Sequence, residues 1–391
     1  GMATIEHINN SGGSAAYGLK NAKDAIVTGL SNPVNEIHRL TGYADDDALY
    51  QTTKDIRKSE LVEVYHEMKA NKLFEEYTKD KKFMKHLRED FKTFTVKQYD
   101  ALGNETGEKE IRLNPAMIIS LAQLAKNSGS LLHMTEGGVR IADEKIYKHG
   151  KIKEAYDRGT VVKMVSPEIR KITSTLNETD RAYMRKVEKY FNEFAKNEIN
   201  AVSQQLDGID RARVGFYYPM NTDSSFLVKE FDTISYDASV ENQGSLKERE
   251  RNAKNPLLLM AAPDVVSRAI SNNGKYIAYA IPLRNFKKLW NTMTRGEMVQ
   301  VPETDKYKNV KLDESGNVIM KNVYKNNYEG SVKDSIERVW GHRAVEYVEN
   351  FIKDIEAGRS DKTGGITKVL NFLHGNYVKA VLTVNFPVAI N

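Results

Sequence analysis

The stretch that decides the fold is residues 177–208, which read NETDRAYMRKVEKYFNEFAKNEINAVSQQLDG. Asn177 and Asp180 have the three-residue spacing of a helix capping box. Apolar side chains then recur at helical intervals: Met184, Val187, Phe191, Phe194 and Val202. The pattern stops at Gly208, and glycine commonly ends helices. The stretch therefore predicts one helix of about 30 residues, which we expect to be the spine of the fold.

Helical periodicity extends to both sides of this spine. Between residues 55 and 91 apolar side chains recur every three to five positions, with lysine and glutamate between them: Leu61, Tyr65, Met68, Leu73, Tyr77, Met84, Leu87 and Phe91. This pattern predicts a long amphipathic helix, or a pair broken near Asn71, whose apolar face packs on other helices.

Proline and capping residues mark the other helix starts. Asn114 and Pro115 suit the cap and first position of a helix, and two more helices are expected after Pro263 and Pro282. Ser331 begins a further capped helix that runs to about Ile355. The last predicted helix is the apolar segment 366–384.

Period-two patterns are short. Residues 94–99 and 108–113 flank a Gly/Asn turn and predict a β-hairpin, and residues 309–312 with 318–320 predict a second, polar one. Residues 214–219 form a short extended run that ends at proline. The predicted fold is therefore mainly α, an elongated multi-helix bundle with two small β-hairpins and a short extended strand.

Four parts are expected along the chain. Residues 1–35 are rich in Gly, Ser and Asn and predict a flexible arm that orders only by docking. A helical lobe with the first hairpin, at about 94–113, follows over 36–165. A central lobe takes residues 166–300, and the second hairpin with the C-terminal helices takes 301–391.

Both ends of the sequence are expected to be chosen boundaries. Gly1 and Met2 resemble the remnant of a cleaved affinity tag, and Asn391 follows directly on an apolar stretch. The last helix is therefore expected to be truncated.

Composition excludes several classes of protein. The absence of cysteine excludes disulfide frameworks, cysteine-type zinc sites and thiol catalysis. The apolar runs are far shorter than the ~20 residues of a membrane span, and no secretory signal begins the chain. We therefore expect no membrane span, and a place in the host cytoplasm or inside a particle assembled there.

Catalytic motifs are also missing from the sequence. It contains no glycine-rich phosphate loop, no dinucleotide fingerprint and no serine-hydrolase elbow. His66-Glu67 begins a zinc-protease motif, but the second histidine that the motif needs is replaced by Ala70. We therefore expect no metal and no cofactor, and the residues alone disclose no catalytic activity.

Two groups of basic residues are candidates for contact with nucleic acid. The first lies on one helix with Tyr77, Phe83 and Phe91 interleaved: Lys79, Lys81, Lys82, Lys85 and Arg88. The second is Lys247, Arg249, Arg251 and Lys254, which alternate with glutamates. Because net charge is only +5, any attraction for DNA must come from such local patches. Solvated helix faces and surface ion pairs are the alternatives for these groups.

Landmarks over roughly residues 110–391 resemble, in their order, a region of the large polyvalent or internal virion-type proteins of phages and mobile elements. They are Leu113–Leu121 leading to Gly137–Arg140, then Phe216–Met220, Lys247–Arg249 with Ala253–Leu258, Tyr276–Arg284 and Ala380–Phe386. The resemblance implies a module that sits among enzymatic domains, enters the cell with incoming DNA and has no settled activity of its own, so it supplies no catalytic residues to carry over.

Three functions follow as hypotheses. The first is a non-catalytic helical module of such a phage or mobile-element protein, associated with virion contents or DNA delivery, whose partners are DNA and other virion proteins. The second is an enzyme acting on nucleic acid or nucleotide with a site assembled from scattered residues, for example Tyr218, Glu248, Arg249 and Arg251. The third is an inhibitor or effector that binds a host defence protein, with the mobile arm and the hairpin at 309–320 as contact points.

Overall fold

The computed structural model describes residues 2–10, 33–100, 102, 104–213, 215–220, 256–292, 297–304, 310–313, 315–325 and 330–356. The fold is mainly α with a few small strand pairs, as the sequence predicts. The chain forms two compact units: unit 1 takes in residues 1–59 and 282–355, and unit 2 takes in residues 60–281. Two long helices each contribute residues to both units, and the four ranges expected from the sequence stay a prediction.

Unit 1 holds the two ends of the described chain. Its elements are α1 (Met2–Asn10), α2 (Pro33–Leu40), the start of α3 (Ala48–Lys79), the end of α12 (Ala262–Asn291), β6 (Glu297–Pro302), β7 (Met320–Lys325), α13 (Val332–Trp340) and α14 (His342–Glu356). Ile5, Ile8 and Ile336 are buried where α1 meets α13. The Trp340 indole N–H donates to the Leu40 carbonyl at 3.0 Å.

Part of the predicted N-terminal arm is therefore helical. Residues 2–10 form α1, whose Ile5 and Ile8 are fully buried, and α2 begins at Pro33. An amphipathic nine-residue segment gains its order by burying an apolar face against another helix. Residues 11–32, the Gly/Ser-rich part of that prediction, lie outside the described residues.

Unit 2 begins with two helices and the first hairpin. After α3, Asp80 caps α4 (Lys81–Glu89) by accepting the backbone N–H groups of Lys82 and Phe83. Strands β1 (Lys92–Tyr99) and β2 (Glu105–Leu113) then pair antiparallel. The hairpin prediction is confirmed. The predicted break near Asn71 is wrong, because the helix continues to Lys79 and the carboxylate of Asp80 starts the next one.

The most deeply buried element of unit 2 is α5 (Pro115–Ala125), in which nine of eleven residues are buried. The predicted start is confirmed, since the Asn114 side chain accepts the Met117 N–H at 2.9 Å. The elements that follow it along the chain are α6 (Ser128–Glu136), β3 (Val139–Ile141), α7 (Glu144–Lys148), α8 (Ile152–Asp157), β4 (Thr160–Val162) and α9 (Ser166–Thr173). Strand β3 pairs antiparallel with β4 and parallel with β5 (Leu257–Leu258).

The spine predicted from residues 177–208 is present but is not a uniform α-helix. It consists of α10 (Glu178–Lys189), a π-helical turn (Tyr190–Ala195) and α11 (Lys196–Asp207). The capping box of Asn177 and Asp180 is confirmed, and Gly208 ends the helix in the left-handed conformation with φ 69°. The π turn was not predicted, because a five-residue hydrogen-bond spacing leaves no distinct mark in an apolar pattern.

Two further predictions of helix boundaries differ from the structure, one at a proline and one at a glycine. Pro282 does not start a helix but lies inside α12, a continuous helix of 30 residues. The single helix expected after Ser331 is instead two, because Gly341 with φ 82° separates α13 from α14. A positive φ is accessible to glycine at little cost, so one residue is enough to end α13.

The predicted extended strand at 214–219 is wrong for its described part. Residues 215–220 pair with no strand among the residues that the structure describes, and Tyr218 instead buries its ring against Phe191. The second hairpin is present and longer than predicted, since β6 and β7 extend the pairing of Leu312 with Val318. The predicted helix over 366–384 lies outside the described residues.

Helix α3 turns a different face inward from the one expected. Leu61, Tyr65 and Met68, which the sequence placed against other helices, are 73%, 59% and 60% exposed. His66, Ala70 and Phe74 are buried instead. In the described part of the chain, no helix is both long and apolar enough to cross a membrane.

Candidate functional site

The inward face of α3 in unit 2 carries ionisable groups in place of an apolar stripe. Glu63 and Glu67 lie one helical turn apart and therefore project from the same side of the helix. Both residues are half-buried, and His66 between them is buried. Three proton-binding side chains thus converge within five residues of one helix.

Helix α12 supplies the groups that face them. Lys275 is only 7% exposed, and Tyr279, one turn later, is buried as well. The charge of Lys275 and those of the two glutamates influence one another, and the Tyr279 hydroxyl lowers the pKa of the Glu63 carboxyl. We call Glu63, Glu67, Lys275 and Tyr279 the carboxyl–lysine cluster.

Gly274 lets the two helices approach closely at this point. A Cβ atom there would lie 3.3 Å from Cδ2 of His66 and 3.6 Å from Cγ of Glu63. A larger side chain would therefore press directly on the inward face of α3. The absence of a side chain at Gly274 explains why the polar residues 271–275, in the middle of α12, can pack against the carboxyl groups of α3.

The histidine of this face is held by the third helix. Nδ1 of His66 hydrogen-bonds with the Glu198 carboxylate of α11, and its ring lies 5.5 Å from that of Phe194 in the π turn. Nε2 of His66 is buried and has no hydrogen-bond partner among the described residues. The π turn also places the Tyr190 hydroxyl 3.1 Å from the side-chain amide of Asn273, next to Gly274.

Burial dominates the proton affinities in the carboxyl–lysine cluster. It is the largest of the causes that together raise the pKa of Glu67 to about 7; the charge of Glu63 acts in the same direction and that of Lys275 opposes both. Burial likewise raises the pKa of Glu63, against the effects of Lys275 and Tyr279 and together with that of Glu60. Burial lowers the pKa of Lys275, and the two carboxylates oppose it.

These directions share one physical cause. Two carboxyl groups face a single amine in a region poor in water, so full ionisation would leave an uncompensated negative charge. The carboxyl pair therefore keeps a proton up to about pH 7, and the titration belongs to the coupled pair rather than to either residue. A carboxyl group that titrates near neutrality is able to exchange protons under physiological conditions.

The cleft beside this face is small. It is lined by Phe191, Ala195, Lys196, Ile199, Ala212, Tyr217 and Asn273, and its volume is about 20 Å³. That volume accommodates a water molecule and excludes an organic substrate. Within the part of the chain that the structure describes, no three His, Asp or Glu side chains are placed to hold a metal ion.

The predicted nucleic-acid residues are only partly brought together. Lys81 and Lys82 are exposed at the start of α4, Lys79 pairs with Glu75, and Lys85 lies 3.8 Å from Glu89. Arg88 is half-buried and pairs with Asp264 at 2.7 Å, so it holds the first turn of α12. Lys247, Arg249, Arg251 and Lys254 lie outside the described residues, and DNA contact stays a prediction.

The aromatic residues between these lysines have a packing role. Tyr77 and Phe83 lie 5.3 Å and 5.7 Å from the ring of Tyr183 on α10. Of the residues suggested for a scattered enzyme site, Tyr218 is buried with its hydroxyl 2.7 Å from that of Ser120. Glu248, Arg249 and Arg251 lie outside the described residues, so that grouping also stays a prediction.

Sequence reasoning missed the carboxyl–lysine cluster. His66-Glu67 was weighed only as half of a zinc motif, and Glu63, Lys275 and Tyr279 were not singled out. The available signal was the polar run 271–275, which interrupts the apolar pattern in the middle of a predicted helix. Such an interruption indicates that something polar faces it.

Comparison with known proteins adds no relative to these observations. A scan against protein-family models gave no match, and neither did searches of curated protein sequences and of solved structures.

Proposed function

We propose that this chain is a non-catalytic helical module of a large phage or mobile-element protein, associated with virion contents or with DNA delivery. The proposal places it in the host cytoplasm or the virion interior, in contact with other virion proteins. Its main support is that the landmarks at 137–140 and 257–258, and those at 113–121 and 216–220, contact each other in unit 2, where they pack the core.

The contacts between these landmarks are structural. Leu257 pairs with Val139, which follows the Gly137-Gly138 landmark, and its N–H donates to the Gly138 carbonyl at 3.0 Å. Ser120 of α5 bonds the Tyr218 hydroxyl at 2.7 Å. Residues about 100 positions apart in the sequence thus specify one core. A role in packing accounts for these residues without assigning chemistry to them.

The experiment that tests the proposal is detection of the parent protein in purified particles. Particles are treated with nuclease and protease, opened, and analysed by mass spectrometry for peptides of residues 110–356. We expect those peptides to be protected until the particles are opened. Peptides that are absent, or that protease removes from intact particles, would contradict the proposal.

The DNA part of the proposal is tested separately. Lys81 and Lys82 are exposed and have no acidic partner in the described part of the chain, so they are the residues most available to phosphates. Replacing both by glutamate should weaken DNA binding at every sequence and reduce its logarithmic salt slope by about 2. Fluorescence anisotropy measures this, with Lys353→Glu on α14 as a control. An unchanged slope would remove these lysines from the interface.

A second candidate function, capture of a host protein, is favoured by the second hairpin. Val310, Leu312, Val318 and Met320 are each about half exposed, from 45% to 57%. Leu312 lies opposite Val318, Val310 pairs with Thr304, and Met320 pairs with Pro302 of β6. Apolar groups on an exposed hairpin face are typical of a contact surface.

The test compares the host proteins retained by the chain with those retained by a Leu312→Ser/Val318→Ser variant. Capture of a defined protein should be lost in that variant and kept in Leu102→Ser, which changes an exposed leucine on the first hairpin. Equal capture by both variants would argue against the second candidate.

A further inference from the structure

The outward face of α3 carries an apolar surface in the middle of a charged helix. Leu61, Val62, Tyr65 and Met68 are 73%, 45%, 59% and 60% exposed and occupy two adjacent turns. We call these four residues the α3 stripe. A helix normally turns such a face toward its own core, so this one is arranged as a contact surface.

Charged residues flank the α3 stripe in a definite order. Arg57 and Lys58 precede it, Lys69 and Lys72 follow it, and Glu75 with Glu76 come next. We propose that the α3 stripe binds the α3 stripe of a second copy of this chain, with the two helices antiparallel about a two-fold axis. The proposal goes beyond the function proposed above, because it names a partner that neither DNA nor the virion supplies.

The charge order favours this arrangement over a parallel one. When Tyr65 of one copy lies opposite Met68 of the other, Lys58 lies opposite Glu75 and Arg57 lies opposite Glu76. The two-fold axis repeats each of these opposite-charge pairs. A parallel pair would instead place Lys58, Lys72 and Glu75 each against its own copy, and like charges at such positions destabilise.

Two of the flanking charges, those of Lys58 and Glu76, exchange partners at small cost. Lys58 now lies 3.1 Å from Asp55, and Glu76 lies 3.1 Å from Lys186, in pairs whose side chains are between 41% and 67% exposed. Exposed ion pairs of this kind contribute at most about 1 kcal/mol each. The contact of Tyr65 with Met68 of the other copy is also favourable, because thioether sulfur packs well at aromatic ring edges.

The area limits how strong this contact is. Two stripes with their flanking side chains bury roughly 1,000 Å² in total, which is at the lower end for a specific interface. We therefore expect a weak, reversible dimer that depends on protein concentration. Assembly of many copies at high local concentration would increase its occupancy.

The absence of cysteine makes a direct test straightforward. In the full chain, Lys58→Cys and Glu75→Cys are introduced singly and together at exposed sites, and a short bismaleimide is added. The two positions are about 25 Å apart along one helix, too far for a link within a chain. We expect dimeric product from the double variant or from the two single variants mixed, and none from either single variant alone.

Other outcomes would overturn the proposal. Linked dimer from a single variant alone indicates a parallel pair, and no product in the mixture indicates that something else covers the stripe. Sedimentation velocity gives a second measurement: Tyr65→Glu should weaken association at least tenfold, whereas Leu102→Glu should leave it unchanged. A chain that is monomeric at all concentrations, or a dimer that tolerates Tyr65→Glu, would equally contradict this interface. None of these outcomes depends on whether virions contain the protein.

Discussion

Unit 2 contains two buried polar regions that are built on opposite principles. Around α5 the polar groups are neutral: Ser120 bonds Tyr218, and the Gln123 amide donates to the Met184 carbonyl at 3.0 Å. Between α3 and α12 they are ionisable, and two carboxyl groups share one lysine. The first region is stable at any pH at which the protein folds. The stability of the second region depends on whether its carboxyl pair holds a proton.

The difference shows how each region fixes its helices. A neutral hydrogen bond inside a core pairs one uncharged donor with one uncharged acceptor, and no net charge remains to be compensated. A charged cluster must balance its charges as well, and removal of one member leaves the others uncompensated. We therefore expect the stability of the α5 region to fall when side-chain volume is removed. The stability of the carboxyl–lysine cluster should instead change with pH.

The largest effect is expected in the neutral region. Tyr218→Ala removes a ring that is 1% exposed and packs on Phe191, and should lower the free energy of unfolding by about 4 kcal/mol. Tyr218→Phe keeps the volume and should cost only about 1 kcal/mol. Urea unfolding of both variants measures this. Equal losses in the two would mean that the hydroxyl, not the packing, stabilises this core.

The next effect is expected from the lysine of the cluster. Lys275→Met leaves Glu63 and Glu67 without a counter-charge and should cost about 3 kcal/mol near pH 8. The loss should shrink toward about pH 5, where Glu67 is protonated and carries no charge that needs a counter-charge. The measurement is urea unfolding at both pH values, with Lys353→Met on the surface as control. A loss that is the same at both pH values would show that Lys275 acts through packing alone.

The next effect in this order should accompany the loss of the carboxyl proton of Glu67. The pKa of Glu67 is raised to about 7 in the folded protein, so the folded state holds a proton that the unfolded chain has already lost. Stability should therefore be full below about pH 4.5 and fall by about 3 kcal/mol as pH rises through about 7. Glu67→Gln should remove most of this fall and be more stable than the unmodified chain near pH 8.

The same experiment distinguishes the cluster from the rest of the chain. Thermal unfolding from about pH 5 to pH 8 provides the measurement, and Glu89→Gln, an exposed carboxylate on α4, serves as the matched control. The control should keep the full pH dependence. A Glu67→Gln variant with an unchanged slope would place the titrating group elsewhere.

The smallest effect is expected at the contact between the helices. Gly274→Ala gains up to about 1 kcal/mol of helix propensity but brings a Cβ atom to 3.3 Å from the His66 ring. We expect these terms to offset each other to within about 0.5 kcal/mol. Chemical denaturation detects the difference. A loss above about 2 kcal/mol would show that α3 has no room to move away from α12.

Sequence patterns predicted part of the local structure of the described residues. The caps at Asn114, Asn177 and Ser331 and both hairpins follow from side chains that act on neighbouring backbone groups. Periodicity also located α3. It did not identify which face is buried, because that depends on what α12 presents more than 200 residues later. Leu61 and Tyr65 are apolar, yet the helix turns Glu63 and Glu67 toward Lys275.

The candidate site was out of reach of sequence reasoning for the same reason. A half-buried glutamate and a surface glutamate look alike in sequence, and only the approach of α12 at Gly274 raises the proton affinity of Glu67. At Pro282 and Gly341, by contrast, the errors concern the prediction of helix boundaries from the local sequence. Proline was given too much weight as a helix boundary, and glycine too little.

The π-helical turn at Tyr190–Ala195 has a consequence for how the chain tolerates change. One residue more or less in a helix rotates everything after it by about 100°. A single-codon deletion in this turn would restore a regular helix and carry Glu198 away from His66 on the far side. Insertions and deletions between residues 190 and 195 should therefore be selected against more strongly than substitutions there.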